Sequence, residues 1–123
     1  MSNAKIYTKH ISDPWYSLVA VGCKTVEGRL HNNDWAKMQE GDIIDWYNLD
    51  FTPIIDRKFR SVITRKTNYP NFNSYICNEG LDKVLPSIKN HDDALKLYYT
   101  YYKPEDEKKH GVVALQLKVV SEY

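Results

Sequence analysis

One eight-residue segment concentrates the side chains that could do chemistry. Residues 22–29 read Gly-Cys-Lys-Thr-Val-Glu-Gly-Arg and place Lys24, Glu27 and Arg29 within six residues. If the segment is a strand, alternation puts Thr25, Glu27 and Arg29 on one face and apolar residues on the other. Buried charges are costly unless they are paired. The charged face is therefore predicted to border a cleft or water rather than a dry core.

Each charged residue of this segment has a functional and a structural interpretation. Lys24 could contact a phosphate or carbonyl group, with a proton affinity lowered by desolvation, or it could be an exposed lysine paired with Glu27. Glu27 could be a general base toward a ribose 2′-hydroxyl or a water, or it could hold its cationic neighbours in place. Arg29 could grip a phosphate in a forked geometry, orient Glu27 or form a structural bridge.

Other kinds of site find little support in the sequence. The four histidines form no i, i+4 pair, so a metal site is not predicted. Cys23 and Cys77 form no CxxC pattern and make no disulfide framework. No glycine-rich phosphate loop or Gly-x-Ser-x-Gly elbow occurs. We therefore expect a protein without a metal or another cofactor.

A basic run, residues 57–66, contains five cations and no acid. Such a run could follow a nucleic-acid backbone. Alternation along a strand divides its charges between two sides, which favours a solvated outer face instead.

Length and composition bound the remaining possibilities. The chain of 123 residues suits one domain, and its net charge of +1 argues neither for nor against nucleic acid as a partner. No apolar run approaches the roughly 18 residues that span a bilayer, and no signal-peptide pattern begins the chain. We expect an intracellular, cytoplasmic protein with no membrane partner. Residues 1–4 are interpreted as a leader that cloning could have added, and residues 5–123 as a single domain.

The order of predicted elements indicates an α+β domain. About five strands should form a curled, partly closed sheet, with helices packed on it. Residues 103–110 are predicted to be a solvated loop of mixed charge. Strands are predicted at 5–10, 24–30, 42–48, 53–65 and 111–120. Helices or helical turns are predicted at 14–21, 33–40, 72–79, 81–85 and 91–102.

Aromatic residues could complete a ligand site. Tyr98 and Tyr101 are predicted to lie on the buried stripe of the last helix, and an exposed tyrosine near the cleft could stack on a base. Trp15 and Trp46 are predicted to be core residues. Trp15, at the start of the first helix, could also reach the cleft.

Together these features resemble the ASCH family of the PUA-like superfamily, over nearly the whole chain. The most specific shared feature is the pattern Gly-x-Lys-x-x-Glu-x-Arg between a helix and a strand. The resemblance implies a small PUA-like β-barrel with a cleft beside that junction. The other matching features are Pro14-Trp15, Gly41-Asp42, Gly80-Leu81, Leu85-Pro86 and the closing strand that begins at Gly111.

The resemblance also implies a ligand class, namely RNA, a nucleotide or a modified nucleoside. Lys24, Glu27 and Arg29 would bind it, with Trp15 and Tyr98 as the candidate aromatic contacts. Binding is the function that we expect. A protein-interaction module that kept the fold and lost the ligand is an alternative from another class.

A metal-independent hydrolase is the second alternative, because some relatives are N4-acetylcytidine amidohydrolases and another branch has a reported ribonuclease activity. Glu27 would be the base and Lys24 would stabilise developing negative charge. The amidohydrolase branch has a threonine nucleophile three residues after its lysine, where this chain has Glu27. Thr25 is the remaining candidate, although it lies about 6.7 Å along the strand from Glu27. The distant catalytic glutamate of that branch matches no position here.

Overall fold

The computed structural model describes residues 3–48 and 57–122, in which five strands and six helices follow one another. The first part contains β1 (Ile6–His10), α1 (Trp15–Ala20), β2 (Val26–Leu30), α2 (Asn33–Lys37) and β3 (Ile43–Asn48). The second part contains β4 (Arg57–Tyr69), α3 (Phe72–Glu79), α4 (Leu81–Val84), α5 (His91–Tyr101), α6 (Pro104–His110) and β5 (Val112–Glu122).

The strands form one mixed sheet in the order β1-β3-β4-β5-β2. β1 runs parallel to β3, and the other neighbours are antiparallel. The register of β4 against β5 shifts between Arg60 and Ser61 and again between Ile63 and Arg65. Such bulges bend a strand and increase its twist. The sheet curls into a half-barrel whose edge strands are β1 and β2, which confirms the predicted α+β fold.

Hydrophobic cores cover both faces of the sheet. Val113 and Leu115 of β5 pack in one core with residues of α1, β3 and β4. Val112 and Ala114 pack in the other core with residues of α3, α4 and α5. The helices after β4 bury the second face as well.

Asparagine side chains cap the first turn of two helices. The Asn71 side chain accepts a hydrogen bond from the Ser74 N–H at the start of α3, and Asn90 accepts one from the Asp93 N–H at the start of α5. These bonds satisfy backbone donors that the first helical turn leaves unpaired.

The prediction of a solvated loop at residues 103–110 is wrong, because this segment contains α6. Pro104 lies in its first turn, with acidic residues there and basic residues in the last turn, an order that suits the helix dipole. Glu107 is buried. Its carboxylate accepts hydrogen bonds from the Phe72 N–H at 2.8 Å and from the Tyr99 hydroxyl at 2.9 Å. The helix thus joins α3 to α5 through one carboxylate.

Other predicted boundaries differ by a few residues. β4 continues to Tyr69, beyond its predicted end at Arg65, because ten of its residues pair with β5. The predicted start of this strand at 53–56 lies outside the described residues.

The prediction that Trp46 is a core residue is confirmed, and its indole N–H donates to the Ser61 hydroxyl at 2.9 Å. Within the described ranges, no helix has the length and apolar character needed to cross a membrane.

Candidate functional site

A cavity of about 220 Å³ lies at the opening between the two edge strands of the half-barrel. Its wall includes His10 at the end of β1 and Glu27 and Arg29 on β2. Trp15 of α1 and Tyr98 of α5 complete the aromatic part of the wall. The cavity therefore lies beside the segment that the sequence analysis singled out.

The connection from α1 to β2 is held at both ends. Gly22 has a φ of +84°, a backbone conformation that side chains disfavour, and it ends the helix. The Lys24 N–H then donates to the Leu18 carbonyl at 3.0 Å, and the Thr25 N–H donates to the Lys83 carbonyl at 3.1 Å. These bonds tie the segment to α1 and α4 and so direct the Lys24 side chain into the protein.

Lys24 is a buried lysine, 2% exposed, so the interpretation of an exposed lysine is wrong. Its ammonium donates to the Val26 carbonyl at 2.7 Å and to the Val84 carbonyl, and Nζ lies 3.4 Å from Glu27 Oε1. An ammonium has three protons, and three acceptors surround this one. Burial lowers the pKa of Lys24, although the Glu27 carboxylate opposes that shift. Lys24 holds β2, α4 and Glu27 together.

Glu27 lies between the two cations. Its Oε2 accepts hydrogen bonds from Arg29 Nη2 at 3.0 Å and from Arg29 Nε at 3.3 Å. Burial alone would raise the pKa of Glu27, but the charges of Lys24 and Arg29 outweigh burial and hold this pKa below its ordinary value. The carboxylate is therefore ionised at neutral pH.

Arg29 is the most accessible member of this triplet. Its side chain is 24% exposed, compared with 1% for Lys24 and 7% for Glu27. The Arg29 guanidinium carbon also lies 4.5 Å from the centre of the Trp35 ring, within the range of a cation–π contact. Trp35 and Glu27 fix the guanidinium from two sides while it borders the cavity.

The charges on the cavity wall do not cancel. Among the described residues that line the cavity, Lys24 and Arg29 are cations and Glu27 is the one carboxylate. The wall therefore carries a net positive charge before any contribution from His10. A single anionic group would neutralise it.

Tyrosines of α5 form one side of the cavity. Tyr98 is buried, and its hydroxyl lies 3.2 Å from the Tyr75 hydroxyl. Burial, reinforced by the charge of Glu27, raises the pKa of Tyr98 far above its ordinary value, so this tyrosine stays neutral. The predicted burial of Tyr101 is wrong: it is 66% exposed and lines the cavity, because the packed stripe of α5 continues from Tyr98 to Tyr102 instead, and Tyr102 packs against the core.

Tyr102, His10 and Ser12 also line the cavity and were not among the predicted site residues. Burial raises the pKa of Tyr102, with an opposing effect from Arg29. The run of four tyrosines in residues 98–102 was a usable signal for Tyr102. Nothing in the sequence marked His10 and Ser12 as site residues. His10 ends the edge strand β1 and Ser12 follows it, and both line the cavity.

Thr25 is separated from Glu27, Arg29 and the aromatic candidates. It is not among the described residues that line the cavity, and it borders a second depression together with Val19 and Leu117. Its backbone carbonyl accepts from the Leu117 N–H at 2.8 Å. The structure thus brings Lys24, Glu27, Arg29, Trp15 and Tyr98 around one cavity, but not Thr25.

The basic run lies away from the cavity as far as its side chains are described. Arg60 forms two hydrogen bonds with Asp45, at 2.8 and 3.0 Å. Arg65 contacts Glu79 at 2.6 Å, and the Lys66 ammonium donates to the Ala36 carbonyl at 2.9 Å. These cations have partners on neighbouring elements.

The described part of the chain offers no metal site, since no three His, Cys, Asp or Glu side chains group together there. Cys23 and Cys77 are both exposed and free.

Comparisons with known proteins establish the fold. No family model matches the chain, and no curated protein matches it in sequence. The crystal structure of the hypothetical protein PH0355 superposes with a TM-score of 0.81 at 26% identity, over 94% of this chain and 99% of that one. The solution NMR structure of protein PF0455 from Pyrococcus furiosus superposes with a TM-score of 0.76 at 24% identity, over 94% and 97% of the two chains. This chain is similar to both over almost its whole length.

Proposed function

We propose that this chain is an ASCH-type, PUA-like domain of the cytoplasm that binds RNA or a nucleotide in the cavity between β1 and β2. One observation carries the proposal: the paired charges of Lys24, Glu27 and Arg29 border a cavity whose other wall is aromatic. A nucleotide combines an anion with a flat ring, and this wall offers a complement to each.

Arg29 is the proposed contact for phosphate. The three protons of Lys24 already meet protein acceptors, so a direct contact from Lys24 to a ligand would first have to break one of those bonds. Lys24 instead holds Glu27, and Glu27 holds the Nε and Nη2 edge of Arg29. A guanidinium held in this way can offer its remaining donors to an anion without losing much side-chain entropy.

The aromatic wall is the proposed contact for the base. The cavity is lined by Trp15 of α1, by Tyr98 and Tyr101 of α5 and by Tyr102, which follows α5. Stacking on an aromatic ring stabilises a bound base by about 1–3 kcal/mol. The cavity volume, about 220 Å³, is below the roughly 300–1,000 Å³ of sites for drug-sized ligands. This size fits one base with its phosphate near the mouth, and a longer RNA would lie outside.

A metal-independent hydrolase in the same cavity is less well supported. A general base works best when its pKa lies near the working pH, and the pKa of Glu27 is lowered instead. Lys24 would have to stabilise negative charge with protons that already have acceptors. Thr25, the proposed replacement nucleophile, borders a different depression. We therefore favour binding over turnover.

Calorimetric titration of the purified chain with the four nucleoside 5′-monophosphates tests the proposal. We expect at least one to bind, more weakly as salt is added, because screening weakens a phosphate contact. Absence of binding by these nucleotides and by a short single-stranded RNA at low salt would contradict it and favour the protein-interaction alternative. Incubation of the bound nucleotide or RNA, followed by product analysis against Glu27→Gln, separates binding from hydrolysis.

A further inference from the structure

β2 is an edge strand, so half of its backbone groups face away from its single neighbour. In an antiparallel pair, residues alternate between exchanging both hydrogen bonds with the partner strand and pointing away from it. The Thr25 carbonyl accepts from Leu117, and the His31 N–H donates to Gly111, both on the β5 side. The odd-numbered residues of β2 therefore bond to β5.

The even-numbered residues point toward the open edge. The Val26 carbonyl accepts from the Lys24 ammonium, and the Leu30 carbonyl accepts from the Asn32 N–H, both away from β5. Gly28 has the same parity, so its N–H and C=O also point to the open edge. Gly28 is buried and lines the cavity. Within residues 3–48 and 57–122, neither of these two groups has a hydrogen-bond partner outside the strand ladder.

The Gly28 N–H and C=O lie beside the Tyr75 ring. A Cβ at position 28 would overlap the Tyr75 ring, so glycine allows that ring to pack directly on β2. The Tyr75 hydroxyl in turn meets the Tyr98 hydroxyl at 3.2 Å, and Tyr98 lines the cavity. The backbone N–H and C=O of Gly28 and the Tyr98 side chain are thus fixed on the same wall.

We propose that the Gly28 N–H and C=O read the Watson–Crick edge of a nucleobase seated in the cavity. Every nucleobase presents a donor next to an acceptor on this edge, and the outward-facing backbone of an edge strand presents the complementary pair, as in strand addition to a sheet. The inference rests on the proposed function and names the part of the ligand that is read.

The physical reason is that a buried backbone donor or acceptor costs free energy until it is paired. A base that meets both groups satisfies them. A bare sugar phosphate or an apolar ring leaves them unpaired inside the cavity. Selection for a base over other anions then follows from backbone geometry, with no side chain at position 28 involved.

Ligand analogues test this without altering the protein. The tightest-binding 5′-monophosphate is compared with an analogue whose Watson–Crick donor is removed by methylation: N3-methyl for UMP, N1-methyl for GMP, N4,N4-dimethyl for CMP or N6,N6-dimethyl for AMP. The matched control carries its methyl group away from that edge, at C5 of a pyrimidine or C8 of a purine. We expect the first analogue to bind at least about tenfold more weakly than the parent, and the control to stay within about threefold.

Equal affinity of the two analogues, whether both tight or both weak, overturns the inference and leaves the proposed function standing. Binding by none of the nucleotides overturns the inference, and if the short single-stranded RNA does not bind either, the proposed function is overturned with it. A second readout uses protein labelled with ¹⁵N-glycine, which has only five glycines and so a simple amide spectrum. The Gly28 amide proton should move downfield when the parent nucleotide binds. An unchanged Gly28 signal with a saturating parent nucleotide also overturns the inference.

Discussion

Lys24 Nζ lies 3.4 Å from Glu27 Oε1, and the two side chains are 1% and 7% exposed. Few ion pairs in small domains are buried this deeply, because removing both charges from water is costly. Here the carbonyls of Val26 and Val84 share the ammonium, and Arg29 shares the carboxylate. The pair therefore fixes the geometry of the cavity wall.

Removing one member of this pair should destabilise the fold strongly. Lys24→Met leaves the Glu27 charge with less compensation, and Glu27→Gln does the same to Lys24, so each should lower the free energy of unfolding by about 3 kcal/mol. The double variant should lose clearly less free energy of unfolding than the two single variants lose together. Urea unfolding of the four proteins measures this. The more exposed pair of Lys9 and Asp34 is the control, and Asp34→Asn should lower the free energy of unfolding much less than Lys24→Met does. If Lys24→Met lowers the free energy of unfolding no more than Asp34→Asn does, the result contradicts the buried pair.

Acid should weaken the fold through Glu27. The pKa of this carboxyl is lowered in the folded protein from an ordinary value of 4.5, so its ionised form stabilises the folded state. That stabilisation is fully present above pH 4.5 and is lost as the pH falls through the lowered folded value. The stability difference between wild type and Glu27→Gln should therefore shrink below pH 4.5. Unfolding curves across this range check it, and a difference that does not change would count against the assignment.

Glu107 should contribute more to stability than the exposed residues of the same helix. Glu107→Ala removes the acceptor of the buried Phe72 N–H and of the Tyr99 hydroxyl, and should cost about 2 kcal/mol of unfolding free energy. Glu105→Ala, an exposed change on the same helix, should stay within about 0.5 kcal/mol. Thermal unfolding of both variants gives the comparison. Similar losses of stability in Glu107→Ala and Glu105→Ala would show that Glu107 is not a buried acceptor.

Tyr101 should affect ligand binding and leave stability nearly unchanged. It is 66% exposed and lines the cavity mouth, so Tyr101→Ala should weaken binding of the preferred nucleotide by roughly tenfold through lost stacking. Tyr101→Phe keeps the ring and should bind as wild type does. Calorimetric titration measures both variants. If alanine and phenylalanine give the same affinity, Tyr101 does not stack on the ligand.

Much of the fold could be predicted because its signals are local. Asn90 sits at the start of α5, and a glycine lies within two residues of the ends of α1 and α3. One error came from a contact between distant residues. The burial of Glu107 depends on Phe72, 35 residues away, so residues 103–110 resembled an exposed loop.

The candidate site, like the fold, could be predicted only in part from the sequence. The spacing of Glu27 and Arg29 on one strand places both at the cavity by alternation alone. The burial of Lys24 was not visible, because the Val84 carbonyl that accepts its proton lies 60 residues away. The exposure of Tyr101 was not predicted, because the tyrosines at 101 and 102 both fit a helical stripe and only the packing of Tyr102 on the core decides between them. The Gly28 backbone carries no side-chain signal, so only the strand order reveals its position.

Arg29 provides the most direct test of the central claim, that the charged segment binds an anionic nucleotide. The preferred nucleoside 5′-monophosphate is titrated into wild type, Arg29→Met, Arg29→Lys and Lys108→Met, the last removing an exposed charge from α6. Unfolding curves first establish that each variant is folded. We expect Arg29→Met to bind at least about tenfold more weakly with a reduced dependence on salt, Arg29→Lys to fall between it and wild type, and Lys108→Met to match wild type. Equal affinity and equal salt dependence in all four proteins would contradict the account.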